Sequence, residues 1–314
     1  MTSPREHTPV LLDETLSVLS PAPGETYVDC TAGLGGHALA VGERLGSDGR
    51  VVLGDLDPAN LEAAEARVRA SGVGRVVTMR GSFVDLPRRL EEGGIGADSV
   101  LADLGFASPQ VDDPGRGLSF RAEGPLDMRL DPSGPVTAGE LVNTLPEGEL
   151  AELIWRWGEE RHSRRIARKV VAARADAPIE TTIRLAEIVR SACPRPPRGV
   201  RPRIDAATRT FQALRIAVND EIGSLEALLA SVARAGEGVA QGRRAWLNPG
   251  ARVAIITFHS LEDRPVKRAF AALVERGLAQ AITRKPITPG DAECESNPRA
   301  RSAKLRAIRI GGGQ

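Results

Sequence analysis

Short apolar runs and amphipathic stretches alternate through the first third of the chain. Glu25-Thr-Tyr-Val-Asp-Cys30 reads as a strand that ends in a glycine-rich turn and passes into a helix from about His37 to Leu45. Val51–Asp55 is a second strand, and Pro58 opens an Ala/Glu/Arg-rich helix at the first-turn position proline favours. Arg75–Met79 predicts a third strand with a short helix near Leu86–Leu90, and Asp98–Asp103 predicts a fourth strand. Buried strands alternating with helices predict a parallel sheet wound by right-handed crossovers, because parallel neighbours need long connections.

After Asp103 the rhythm breaks. No β-branched run appears between Pro109 and Asp205, and helical periodicity takes over at Glu147–Trp157, Glu160–Ala173 and Thr181–Ala192. Pro194–Arg203 reads as an extended proline-rich linker. One long helix from Ala206 to about Ala235 then leads back to a strong strand, Ala251–Thr257. A helix at Glu262–Arg276 and late strands near Ala279–Thr283 and Lys304–Ile310 complete the pattern. The expected fold is α/β, a doubly wound, mostly parallel sheet built from 1–109 and 206–314. An all-α insertion, 110–205, interrupts it.

The composition narrows the class. With 314 residues, 41% hydrophobic and 26% charged, disordered and fibrous chains are excluded. No apolar run approaches the roughly 18 residues of a membrane span, and the first residues lack a secretory signal, so a cytoplasmic protein is expected. Cys30, Cys193 and Cys294 show no C-x-x-C spacing, which argues against disulfides and structural zinc, and no His/Asp/Glu set has metal-ligand spacing. The formal net charge of +1 conceals a division. Residues 156–203 hold 13 basic against 5 acidic side chains, and 284–309 hold 7 against 3. The remainder carries 22 basic and 33 acidic residues, a local −11. Two basic segments on an acidic body suit a polyanionic partner, or else solvated helix faces.

Candidate chemistry gathers at the predicted strand ends. Gly33-Leu-Gly35-Gly36-His37-Ala38 fits G-x-G-x-x-G/A between a strand and a helix, and Asp55 follows at the spacing of a ribose-binding acid. This identifies an adenosine cofactor, either nicotinamide or methyl donor. Asp29 before the turn and Asp103 at the fourth strand would repel a pyrophosphate and suit a cationic donor, S-adenosyl-L-methionine. Phe83 stands where a ring could cover the adenine. Asp103-Leu-Gly-Phe106 resembles the acid-x-x-aromatic loop of base-amine methyltransferases, in which the acid accepts amine protons and a ring clamps the base. A loop cap at Asp103 and a core role for Phe106 are the plainer alternatives. His259 is either a general base or a turn-orienting residue, with Ser260 and Asp263 reading as a helix cap. Arg161, Arg165 and Arg168 form one stripe on a predicted helix, for phosphate contact or for solvent. Thr208, Gln212, Arg215 and Asn219 form a polar stripe suited to tying the two domains together or to holding a base edge.

Taken in order, these segments resemble the MraW/RsmH family of bacterial 16S ribosomal RNA cytosine-N4 methyltransferases. The resemblance runs through His7–Glu14, Asp29–His37, Asp55–Pro58, Asp103–Gln110, Arg116–Arg121, Pro125–Arg129, Gly158–Arg161, Thr208–Arg215, Phe258–Arg264 and Asn297–Ser302. It implies a Rossmann-like class I methyltransferase core and methyl transfer to N4 of a cytosine at the decoding centre. Cofactor contacts carry over to Gly35, Gly36, His37, Asp55, Phe83, Asp103 and Gln110, and Gly33 joins them from the turn pattern. Asp103 is the expected N4 acceptor, and Arg161, Arg165, Arg168, Arg209 and Arg215 are expected RNA contacts. The implied partner is the small ribosomal subunit, with a homodimer open to it. Three positions depart from the family: Asp205-Ala206 replaces His-Pro, Phe106-Ala107 replaces Val-Ser, and Leu118 replaces Phe. An oxidoreductase and a non-catalytic RNA-binding module are the rival classes.

Overall fold

A computed structural model describes residues 9–106, 108–194 and 204–311. It divides the chain into two compact units, Met1–Gly105 with Ile222–Gln314, and Phe106–Glu221.

In the first unit, helix α1 (Leu12–Leu19) precedes β1 (Thr26–Asp29), α2 (Gly36–Leu45), β2 (Arg50–Asp55), α3 (Pro58–Arg69), β3 (Arg75–Arg80), α4 (Leu86–Glu92) and β4 (Ala97–Asp103). Asp57 starts α3 by accepting the Ala59 N–H, with Pro58 in the first turn as expected. The strands lie in the order β3-β2-β1-β4, all parallel, so the winding direction reverses between β1 and β4. Side chains alternate across the sheet with period two. Tyr27, Val51, Leu53 and Leu101 pack with α1, α2 and α3, while Val28, Val52 and Val100 face α4 and later helices.

The second unit holds α5 (Ser108–Asp112), α6 (Ala138–Thr144), α7 (Glu147–Gly158), α8 (Ser163–Asp176), α9 (Thr182–Ala192) and α10 (Thr208–Asn219). Its own core is built from Leu150, Ile154, Ile166, Val170, Leu185, Val189, Phe211 and Leu214, among others. Phe211 meets Phe120 edge-on at 4.8 Å between ring centroids.

The chain returns to the first unit through α11 (Glu221–Ala240), β5 (Leu247–Thr257), α12 (Ser260–Glu275), β6 (Ala279–Ala281), α13 (Asp291–Ser296) and β7 (Lys304–Ile310). β5 extends the parallel sheet beside β4, and β7 and β6 add an antiparallel edge. Among the described residues no helix is long and apolar enough to cross a membrane.

Three expectations change. The helix read as Ala206–Ala235 is two helices, because Asp220 takes a left-handed conformation with φ 45°. The buried face of α10 packs into the helical core, so the inserted unit ends at Glu221 rather than 205, and it begins at Phe106 rather than 110. The stripe read at Arg161, Arg165 and Arg168 is interrupted, because the chain turns at Glu159, also left-handed, so Arg161 lies in a turn before α8 and off its helical face. Except for Pro194, the linker read at Pro194–Arg203 lies outside the described residues. Replacing buried Phe211 with Ala is expected to destabilise the inserted unit by about 3–5 kcal/mol, read as a lowered urea midpoint; an unchanged midpoint would contradict this core assignment.

Candidate active site

Three neighbouring strands end in aspartate: Asp55 on β2, Asp29 on β1 and Asp103 on β4. Three carboxylates at adjacent strand ends repel one another when ionised, and the fold treats each differently. Asp29 is closed off, only 2% exposed. Its Oδ1 accepts the Thr31 N–H at 3.1 Å, and Oδ2 accepts the Tyr27 hydroxyl at 3.0 Å. Burial raises its pKa to about 7, against the lowering effect of those two bonds. Asp29 therefore shapes the turn, and its oxygens are not presented to a ligand as the sequence suggested.

Asp55 holds the glycine turn. Its Oδ2 accepts the Gly33 N–H and its Oδ1 the Asp57 N–H, both at 2.8 Å. Burial raises its pKa as well. Asp103 is the open acid of the three. Its backbone N–H donates to Thr31 Oγ1 at 2.7 Å, which fixes the residue against the turn. Its Oδ1 is buried and has no hydrogen-bond partner among the described residues. Its Oδ2 lies 3.8 Å from His37 Nδ1. Burial, then Asp29 and Glu262, push this carboxyl well above the usual range. An unsatisfied buried carboxyl oxygen is costly, and a cation or an N–H donor at that position removes the cost.

The turn itself is determined by close approach. Gly35 caps α2 at φ 76°, and a Cβ there would stand 2.9 Å from the Ala64 Cα. At Gly36 a Cβ would stand 2.5 Å from Pro9 Cγ. Pro9 belongs to a strap that also carries the Val10 carbonyl, which lies 2.9 Å from His37 Nε2. The Leu11 N–H donates to Glu293 Oε1 at 2.8 Å, and Leu11 sits in the left-handed region at φ 53°. The segments holding Thr31 and this strap are among the family-like motifs, but the sequence assigns no contact to them: neither lies in a periodic pattern, and Glu293 is 282 residues from Leu11.

Thus Gly33, Gly35, Gly36, His37, Asp55 and Asp103 converge. Phe83 lies in the turn after β3, half-buried against the α4-side core. Gln110 is buried on α5 in the inserted unit. His259 is the N-cap residue of α12, with Nε2 3.2 Å from Glu262 Oε1 without hydrogen-bond alignment and Nδ1 unpartnered. The helix cap read for Ser260 and Asp263 is corrected. Glu262 reaches back to the Phe258 and His259 N–H groups at 2.8 and 3.3 Å, while Asp263 pairs with Arg306 at 2.7 Å. The signal was the N3 acid of His259-x-x-Glu262.

The arginines separate into two kinds. Arg161, Arg165, Arg168 and Arg209 are exposed, Arg168 lying 3.7 Å from Glu147 and Arg209 3.9 Å from Glu160. Arg215 is instead held in the fold, paired in bidentate fashion with Glu221 and stacked 4.6 Å over the Phe106 ring. That ion pair removes it from the expected RNA contacts. Gln212 donates to the Trp157 carbonyl and Asn219 to that of Met128, so the polar stripe ties α10 into its own unit. Asp205, a departure from the family, accepts the Ala207 N–H and pairs with Arg190 at 3.0 Å.

A family model described as the MraW methylase family matches residues 4–310. A protein of Sorangium cellulosum named Ribosomal RNA small subunit methyltransferase H is 48% identical over 310 residues, covering 98% of this chain and 92% of its own length. A protein of the same name from Oleidesulfovibrio alaskensis is 46% identical, with 96% and 94% covered. One from Acidobacterium capsulatum is 44% identical, with 96% and 97% covered.

Because Asp29 holds its proton to about pH 7 when folded and loses it near 3.8 when unfolded, it costs stability as pH rises through that window. Asp29→Asn is expected to gain melting temperature relative to wild type between pH 5 and 8. A difference that stays constant over this range would refute the buried, proton-holding state.

Proposed function

The chain belongs to the MraW methylase family, and on that footing we propose that it moves a methyl group from S-adenosyl-L-methionine to the exocyclic N4 of a cytosine in 16S ribosomal RNA, at the decoding centre of the small subunit. The names of its relatives support the ribosomal substrate. The observation that carries the chemistry is the unpartnered, buried Oδ1 of Asp103 at the point where the sheet changes winding direction.

The residues present fit the donor. The turn Gly33–His37 lies beside Asp55, whose oxygens each accept one backbone N–H and keep further lone pairs that suit a ribose diol, and Phe83 supplies a ring on the β3 side. Asp103 offers its oxygen to a positive centre. Bound there, the donor supplies an electrophilic methyl on a sulfonium.

The rest of the chemistry falls to the chain. An exocyclic amine shares its lone pair with the base ring, so nitrogen is a poor nucleophile until its N–H groups are held by an acceptor. Asp103 Oδ1 accepts an N4 proton and directs the nitrogen toward the methyl. Its raised proton affinity suits it to take the proton that the amine must lose. His37, anchored at the Val10 carbonyl, faces the other oxygen and steadies the carboxyl. His259 and Glu262 hold the loop after β5, a positioning role. Arg161, Arg165, Arg168 and Arg209 of the inserted unit meet phosphates, as such a cytoplasmic substrate requires.

Small subunits incubated with the enzyme and isotopically labelled donor should carry the label on a cytosine N4; label on a different atom, or none, rejects the assignment. Asp103→Ala should keep its circular dichroism and lose about 10²–10⁴-fold in transfer rate, whereas full activity would remove Asp103 from the reaction. Donor affinity in the wild type should rise with pH, because a cation favours the ionised carboxyl and acidification neutralises it. Calorimetry on Asp103→Asn should lose that rise; a parallel pH profile would exclude Asp103 as its source.

A further inference from the structure

Outside the two basic segments the sequence is acidic, yet the fold collects arginines from distant positions on the face of the first unit opposite α1–α3. Between α4 and the end of α11 runs a groove of about 420 Å³ lined by Arg88, Arg234, Arg243 and Arg244, with Glu91 and Glu237. Arg88 is paired with Glu92 at 2.6 Å, and Glu237 with Arg276 at 2.5 Å. Arg234, Arg243 and Arg244 are exposed and have no carboxylate partner among the described residues. The Arg244 guanidinium lies against Gly94, where a Cβ would stand 2.6 Å from Nη2, so the bare turn lets this side chain reach the groove. Three uncompensated guanidiniums therefore face one unpaired carboxylate, that of Glu91.

Like charges gathered in excess of their counter-charges repel, and a polyanion relieves that repulsion. Guanidinium forks match phosphate oxygens in bidentate geometry. The groove lining includes no aromatic ring on which a base could stack, which points to backbone contact without base reading. We propose that this groove docks a phosphodiester stretch of the RNA substrate, giving the first unit an RNA contact of its own. This rests on the proposal above that the substrate is RNA.

The test compares wild type, the triple variant Arg234→Gln/Arg243→Gln/Arg244→Gln, and a charge-matched control, Arg69→Gln/Arg75→Gln/Arg268→Gln. Affinity for small subunits is measured across a salt series, with donor affinity and methyl transfer measured alongside. Each lost phosphate contact lowers the slope of log affinity against log salt by roughly 0.7–0.9, so the groove variant should lose about 2. Its donor affinity should stay unchanged, and the control should keep the wild-type slope. An unchanged slope in the groove variant, or an equal loss in the control, overturns the proposal. So does inorganic phosphate raising the wild-type melting temperature, but not the groove variant's, while the RNA slopes agree: that would mark a site for free phosphate. Wild-type methyl transfer reports separately on the substrate, so failure of the RNA reading is distinguishable from failure of the groove.

Discussion

Three carboxylates on adjacent strand ends cannot all stay ionised and unpaired inside a fold, and the site follows from how that conflict is resolved. Asp29 is sealed between the Tyr27 hydroxyl and the Thr31 N–H. Asp55 accepts the N–H groups of Gly33 and Asp57, one on each oxygen. Asp103 alone keeps a buried oxygen without a partner, and Thr31 ties its backbone to the same turn. One threonine thus serves the closed acid with its N–H and the open acid with its hydroxyl. The strap from Pro9 to Leu11 closes the turn from outside, through Gly36 and His37. A ligand that brings positive charge or an N–H to Asp103 completes an arrangement the protein leaves unsatisfied.

Much of this was legible in the sequence because the signals are local. Strand and helix alternate with clear periods in the first half, the glycine turn sits between β1 and α2, and the acids at 29, 55 and 103 end their strands. What the sequence could not separate was the three acids' roles, since these depend on Tyr27, Thr31 and burial. The single helix expected over Ala206–Ala235 failed at Asp220, a polar residue in a left-handed turn that interrupts an otherwise continuous helical pattern. The polar stripe of α10 suits an inter-domain tie or a base edge when judged from its spacing alone. Gln212 and Asn219 bond within the inserted unit instead. Arg215 stands among the expected RNA contacts, and its pairing with Glu221 just after the same break is not readable from helical spacing.

Charge shows the same limit. A count along the chain finds basic blocks in the insertion and the tail, but it averages away arginines that are far apart in sequence and close in space. Arg88, Arg234, Arg243 and Arg244 meet only because α4 and α11 lie on the same face of the sheet. Conversely, several residues inside the basic blocks are neutralised locally, as Arg190 is by Asp205 and Arg306 by Asp263. Which cations remain available to a polyanion is a property of the fold.

The proposed role of Asp103 as acceptor of the target amine is open to a crystal structure with demethylated donor and a cytidine-containing ligand. The cytosine N4 is expected within hydrogen-bond distance of Asp103 Oδ1, with His37 still on the Val10 carbonyl. A cytosine amine held by other groups, with Asp103 turned away from the base, rules that role out.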